Sequence, residues 1–345
     1  PRAARAICPE PASRATLRTC PQPGARGPAH LSETGTHMTP TAAIPPLLPQ
    51  FLHLPFAPGP HRMAMALQPC PLPAWIEIDA HYPAEMAGRR ALLATRHAEV
   101  FAAQPGSDAA RAETLALLAD HLATHHPAWF RRDGAALRNA LTDERWDLAA
   151  PPLDPLEVAG RLVQEDLCLI RPDPAGPVLE AAVLCAPSRW RLAEKIGRPL
   201  LAVHAPVPFY AERLGAPVDR FMAQLREGRM ALRLNWSVVD DPALFQPWGR
   251  ERTASHAAIT PENAARHLYL RVERQTFRRL PLSGAVLFGI RVHSYPLARV
   301  AAVPGVAACL AAAVRALPEA MLAYKALGGF RDALLSCLDR AGSGG

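Results

Sequence analysis

At Pro151-Pro152 the rhythm of the sequence changes, and the change decides the class of fold. Before it, apolar residues recur at helical spacing: Met86, Leu92, Leu93 and Val100 share a face from Pro83 onward, with Arg89, Arg90 and Glu99 for a wet side. Gly106-Ser107-Asp108 breaks that run, and Ser107 or Asp108 can cap a second helix carrying Leu115, Leu118 and Leu122. Beyond the two prolines, Leu156 to Val163 predicts a short helix, and then the period falls to two. Glu165 to Ile170 alternates as a strand, 171–177 is a Pro/Gly turn, and Val178 to Cys185 is a second strand, together a hairpin. Trp190 to Ile196 predicts a turn or two of helix, and Pro208 to Leu225 a longer one interrupted at Gly215 and Pro217. Three strands follow at Arg229 to Val239, His267 to Phe277 and Gly284 to His293, the last two joined by a turn with Pro281. Pro304 to Leu317 and Pro318 to Leu327 are helices opened by proline at the favoured first-turn position. The pattern is α+β with a largely antiparallel sheet. It divides into 1–50, a mostly helical 51–150, a mixed core 151–297, and C-terminal helices with a flexible tail, 298–345.

Composition mainly excludes. The net charge of +7 is spread among interleaved acids, and no Lys/Arg run carries interleaved aromatics, so nucleic acid is not an expected partner. Seven cysteines with no CxxC pair argue against a disulfide framework, a structural zinc site or an iron–sulfur centre within this chain. No run of eighteen apolar residues predicts a membrane span, and the start lacks a clean apolar core of a secretory signal. The expected compartment is the cytoplasm. Residues 1 to about 50, rich in Pro, Ala and Arg, read as disordered, or as sequence upstream of a later start such as Met38 or Met63. Their abundant Arg and few acids also fit a transit peptide.

Several separated blocks carry a more specific signal. They are Trp75-Ile76-Glu77-Ile78-Asp79 with Tyr82-Pro83, Val163-Gln164-Glu165-Asp166-Leu167-Cys168-Leu169, and Pro187-Ser188-Arg189-Trp190-Arg191-Leu192-Ala193-Glu194-Lys195-Ile196-Gly197. His204-Ala205-Pro206-Val207-Pro208, Arg233-Leu234-Asn235-Trp236 and Leu270-Arg271-Val272-Glu273-Arg274-Gln275-Thr276, continuing to Arg278-Arg279-Leu280-Pro281, complete the set. In this order, over roughly residues 55 to 327, the sequence resembles the haem-dependent oxidative N-demethylase family. The resemblance implies a PAS-like antiparallel five-stranded sheet with flanking helices, holding a haem b with one histidine on the iron. It implies oxidation of a small secondary amine, dimethylamine being the family's reference, with O2. Electrons would come from a separate reductase carrying FMN and a 2Fe-2S cluster, and a folate-binding subunit would capture the one-carbon product. The chain has no GxGxxG after a strand, so it would be the haem subunit only.

His204 is the first candidate for the iron, in a rigid apolar Ala-Pro-Val-Pro setting. The plain alternative is a histidine that caps a helix; His293 and His267 compete, as does Cys185 as a thiolate. Haem propionates need cations, and arginine's planar fork suits them. Arg189, Arg233, Arg271 and Arg274 are expected to contact the cofactor, with Trp236 beside it, although Trp236 also fits a core. Tyr210, Glu273 and Asn235 are candidates for binding an ammonium and assisting oxygen chemistry. Arg271, Glu273 and Gln275 share one face of a strand and Val272, Arg274 and Thr276 the other. A face that is polar throughout is either solvent-exposed or the wall of a pocket. His121 and His125 lie one helical turn apart, as metal ligands or as basic residues at a helix C-terminus. The competing functions are a haem-binding sensor without turnover, and a protein that keeps the fold without haem.

Overall fold

A computed structural model describes residues 44–248 and 259–343. The disorder expected for residues 1 to 50 falls, up to residue 43, outside them. Residues 44–50 are described and lie on the protein: Leu48 accepts a hydrogen bond from the Ala80 N–H, and Gln50 accepts one from Arg299.

Among the described residues, ten strands form two sheets: β1 (Gln68–Pro69), β2 (Phe101–Ala103), β3 (Phe130–Asp133), β4 (Ala136–Asn139), β5 (Glu144–Asp147), β6 (Asp166–Arg171), β7 (Val178–Val183), β8 (Met230–Val239), β9 (Tyr269–Arg279) and β10 (Val286–Pro296). The larger sheet has seven strands in the order β1-β8-β9-β10-β6-β7-β2, and the smaller has three, β3-β4-β5. All pairings are antiparallel. The five strands expected from the sequence are β6 to β10. The sheet is wider than five because β1 and β2, too short to show a period, add to its two edges. The stretch expected to be mostly helical does carry helices at Tyr82–Thr95, His97–Val100 and Asp108–His125, but it also folds the small sheet β3-β4-β5. Those four-residue strands are polar on most positions, so period-two alternation does not mark them.

Local chemistry sets the boundaries. Asp154 Oδ1 accepts from the Leu156 N–H at 2.9 Å and Pro155 follows it, so a cap and a first-turn proline open the helix Pro155–Gly160. Ser107 stands at the N-cap of Asp108–His125 but its hydroxyl donates to the Gln104 carbonyl and makes no cap bond. The expected long helix from Pro208 is a π-turn at Ala211–Gly215 running into Ala216–Gln224, as its Gly215/Pro217 interruption foretells. A helix at Arg331–Ser343, unforeseen in the sequence, closes the C-terminal cluster.

The large sheet is the middle layer. One face packs against Tyr82–Thr95, Asp108–His125 and Pro155–Gly160 over β6 and β7, and against the helices from Leu297 onward over β8 to β10. Tyr82, Met86, Arg89 and Leu93 are the inward stripe of the first helix. Tyr82 Oη donates to the Leu162 carbonyl and accepts from Asn139 Nδ2, both at 2.8 Å, which ties the small sheet to the large one. The opposite face is covered by the short helix Leu200–Val203 and by Ala216–Gln224, but incompletely.

Candidate functional site

Between that thin cover and the sheet lies a cavity of about 280 Å³. That is the scale of a cofactor or small-ligand pocket. Its floor is the alternate residues of four strands: Cys168 and Ile170 of β6, Arg233 and Asn235 of β8, Arg271, Glu273, Gln275 and Phe277 of β9, and Phe288 and Ile290 of β10. Its roof is apolar, with Leu200, Val203, Leu214, Val218 and Met222 from the covering helices. Met63 and Met65, from the extended segment before β1, also line it. The polar face of β9 is therefore a pocket wall.

His204 stands at the C-cap of Leu200–Val203, where Nδ1 lies 2.8 Å from the Leu200 carbonyl oxygen. A carbonyl only accepts, so Nδ1 carries the proton and Nε2 keeps its lone pair. Burial is the main influence on the ring and pushes its pKa down to about 4, against the carbonyl hydrogen bond; the imidazole is neutral at ordinary pH. The Tyr210 ring lies parallel to it, with centroids 4.3 Å apart and planes 8° from coplanar. His204 thus has a fixed tautomer and a fixed plane, the condition for a metal-ligating histidine.

Across the floor, Glu273 accepts from Gln275 Nε2 at 2.8 Å and Asn235 Nδ2 at 3.3 Å. Burial would raise its pKa, but hydrogen bonds from Ser188, Asn235 and Gln275 and the Arg271 charge hold the carboxyl below its usual value, so it is an anion in the pocket. Arg233 is in the same wall; burial lowers its pKa, and its Nε is buried without a partner. A buried, under-satisfied guanidinium beside an open volume fits a ligand carboxylate. Arg189 also lines the cavity and sits 3.7 Å from Asp240. Arg271 lines the cavity too, but Nε donates to Ser188 Oγ, and both terminal nitrogens donate to main-chain carbonyls of Ala186, Pro187, Ala243 and Leu244. It pins two loops against the sheet and has little left for a ligand. Trp236 is at the cavity's end, edge-on to Phe56 and beneath Lys325.

Other expected residues lie elsewhere. Arg274 is on the opposite face of β9, with Nε 3.1 Å from Glu77 and terminal nitrogens donating to the Trp75 and Ala74 carbonyls. His293 is on that face as well, bonded to Glu77, and His267 ends a short helix away from the cavity. Cys185 is buried outside the cavity lining, its thiol pushed up to about 11 by burial, which disfavours a thiolate. His121 packs edge-on to Trp75, and burial drives its pKa down to about 3. Among the described residues, the histidines 121, 125 and 126 do not converge as a metal-ligand group. Ser188, Met63 and Met65 are site residues that sequence reasoning missed. Ser188 lay inside a motif block, and its contact with Glu273 depends on a loop folding back over β9.

The neutral histidine, the carboxylate and the free guanidinium around one apolar slot fit a haem. A family described as haem-dependent oxidative N-demethylase, alpha subunit-like, matches residues 66–335. The chain belongs to this family. Membership links the chain to haem-dependent oxidative N-demethylase chemistry, and the match spans the large sheet and the residues that line the cavity except Met63 and Met65. Among the described residues, no helix is long and apolar enough to cross a membrane.

Proposed function

We propose that this chain is a haem-carrying subunit that oxidatively demethylates a small secondary amine of the dimethylamine kind, using O2 and electrons from a separate reductase. The observation that carries the reading is His204: a neutral, tautomer-locked imidazole at a cavity with an apolar roof and a carboxylate on its polar floor. Residues 151–297 would form the haem-binding unit. The order of its five central strands, β7-β6-β10-β9-β8, supports a PAS-like description. Absence of any CxxCH in the sequence supports a non-covalent haem b.

His204 Nε2 would ligate the iron, with Leu200 and Tyr210 fixing the ring. Arg233, assisted by Arg189, would hold the propionates. Bound haem supplies the activation of O2 for oxidation of the amine's methyl group. Glu273 would bind the substrate ammonium, with Asn235, Gln275 and Ser188 holding its carboxylate ionised and aimed. The apolar roof excludes water from the same volume, which strengthens that ion pairing. No dinucleotide fingerprint is present, so FMN, the 2Fe-2S cluster and folate would reside on partner chains.

The test is an absorption spectrum of protein produced with haem supply, beside His204→Ala. A Soret band lost or shifted in the variant supports the assignment. A band indifferent to the variant moves the ligand, and no band in the wild type overturns the reading. Tight O2 binding without turnover of any amine would instead identify a sensor.

A further inference from the structure

The opposite face of the sheet carries a second convergence of ligand-type groups. His53 of the extended N-terminal segment, Glu77 from the loop before the first helix, and His293 of β10 place one ligand atom each within 4.8 Å of one another. Glu77 Oε2 is 3.1 Å from His53 Nε2 and 3.0 Å from His293 Nε2. Two ligands on adjacent positions about 2.1 Å from a shared zinc ion would stand roughly 3.0–3.4 Å apart. We propose that His53, Glu77 and His293 form a binding site for a divalent transition-metal cation, zinc by its ligand set, which clips residues 51–56 onto the sheet.

The three donors are two imidazoles and one carboxylate, a set suited to zinc or another borderline first-row metal and not to magnesium or calcium. Each ring is already oriented. His53 stacks on Phe51 at 18° and its main-chain N–H donates to Tyr295 Oη, while His293 lies within 8° of the Tyr295 plane. Glu77 Oε1 is taken up by Arg274 at 3.1 Å, so Oε2 can bind the ion without breaking that pair. His293 Nδ1 is buried without a partner, so binding the ion through Nε2 would move the ring proton from the Glu77 hydrogen bond to Nδ1. His293 is fully buried and Glu77 nearly so, whereas the His53 side chain is 20% exposed and offers the ion a route from solvent.

The charge of the surroundings favours a cation. Glu77, Asp79, Glu85 and Glu165 gather here against the guanidiniums of Arg274 and Arg291. Glu165 Oε2 has no partner. Burial raises the Glu165 pKa to about 7, which relieves part of this surplus of acid, and the remainder is costly unless it is neutralised. A dication at the trio offsets it. The segment so clipped continues to Met63 and Met65 on the cavity wall, so the site would also hold one side of the cavity closed.

The full-length protein as purified, dialysed against chelator-free buffer, is expected to retain close to one zinc per chain by elemental analysis, counted separately from haem iron. Adding zinc to chelator-treated protein should raise its melting temperature. His53→Phe keeps the aromatic stacking but removes a ligand, and should weaken zinc binding at least tenfold. Glu77→Gln should do the same, with far-UV circular dichroism confirming that either variant is folded. Wild-type protein that binds no zinc overturns the proposal, because the trio is then a hydrogen-bonded clasp. Zinc bound equally by His53→Phe also overturns it, because the ion is then elsewhere.

Discussion

The two faces of the large sheet use the same residue types in opposite ways. On the face packed by the N- and C-terminal helices, Arg89, Arg274 and Arg291 are met by acids or carbonyls, although Arg89 Nη2, Arg278 Nη1 and Arg291 Nε are buried without a partner. Arg291 binds Glu85 at 2.7 Å and Asp79 at 3.2 Å, and Arg89 binds Asp166 at 2.7 Å while Asp166 also accepts from the Cys185 and Ala186 N–H groups. On the cavity face, Arg233 keeps an orphan Nε, His204 keeps a lone pair, and Glu273 keeps its charge beside an empty volume. The first arrangement holds the fold together; the second leaves interactions for a ligand to complete. Both faces hold buried orphan atoms, so the difference lies in ion pairing and in the adjoining open volume.

Breaking a charge on each face should separate the two. Arg291 is fully buried, so Arg291→Met strands the Asp79 and Glu85 carboxylates and should cost about 3–5 kcal/mol. Urea unfolding of the haem-free protein would read this as a large drop in midpoint. Arg233→Met removes an under-satisfied group of similar shape and should change stability by less than about 1 kcal/mol. Haem titration of the same variant should show weaker binding. A large stability loss in Arg233→Met would mean that its charge serves the fold and the contrast fails.

A second comparison is steric. Gly289 of β10 is on the tightly packed face, where an added Cβ would stand 2.7 Å from Thr276 Oγ1. Gly289→Ala should therefore cost about 1–3 kcal/mol, measured by the same unfolding curves. One residue on, Ile290 faces the cavity, and Ile290→Leu should cost less than about 1.5 kcal/mol, since open volume absorbs a change of shape.

Period-two alternation located all five long strands of the sheet, because each is long enough to repeat its pattern. It also showed that Arg271, Glu273 and Gln275 share a face, since side-chain direction follows from pleat alone. It did not show which face looked into a pocket. That depends on the helices 200–203 and 216–224, which leave β9 partly uncovered, and such long-range packing has no local signature. The same gap explains Arg271 and Arg274. Alternation places them on opposite faces, but not what each meets: one staples the loops at Ala186–Ser188 and Ala243–Leu244, the other is bound to Glu77. His204 could be singled out as a candidate because its Pro-rich motif block is local, and it lines the cavity. His53 was not, for it lies in a segment without secondary structure that meets β10 across 240 residues of sequence, as the His53–Tyr295 contact at a separation of 242 shows.

The last expected effect is on pH dependence, and it also distinguishes the faces. Burial lowers the pKa of His204 and of His293 to about 4 in the folded chain. An unfolded histidine titrates near 6.5. As pH falls below about 6.5 the unfolded state takes up protons that the folded state refuses, so stability declines until about pH 4, where both states are protonated. His204→Gln should flatten part of that decline in the haem-free protein. Haem binding should steepen the dependence at His204, because the iron competes with the proton for Nε2. His293 is away from the cavity, so His293→Gln should alter the haem-free curve while leaving the pH dependence of haem binding in place. Equal responses of haem affinity to both substitutions, followed by Soret absorbance across pH 4 to 7, would show that the two faces are coupled and not independent.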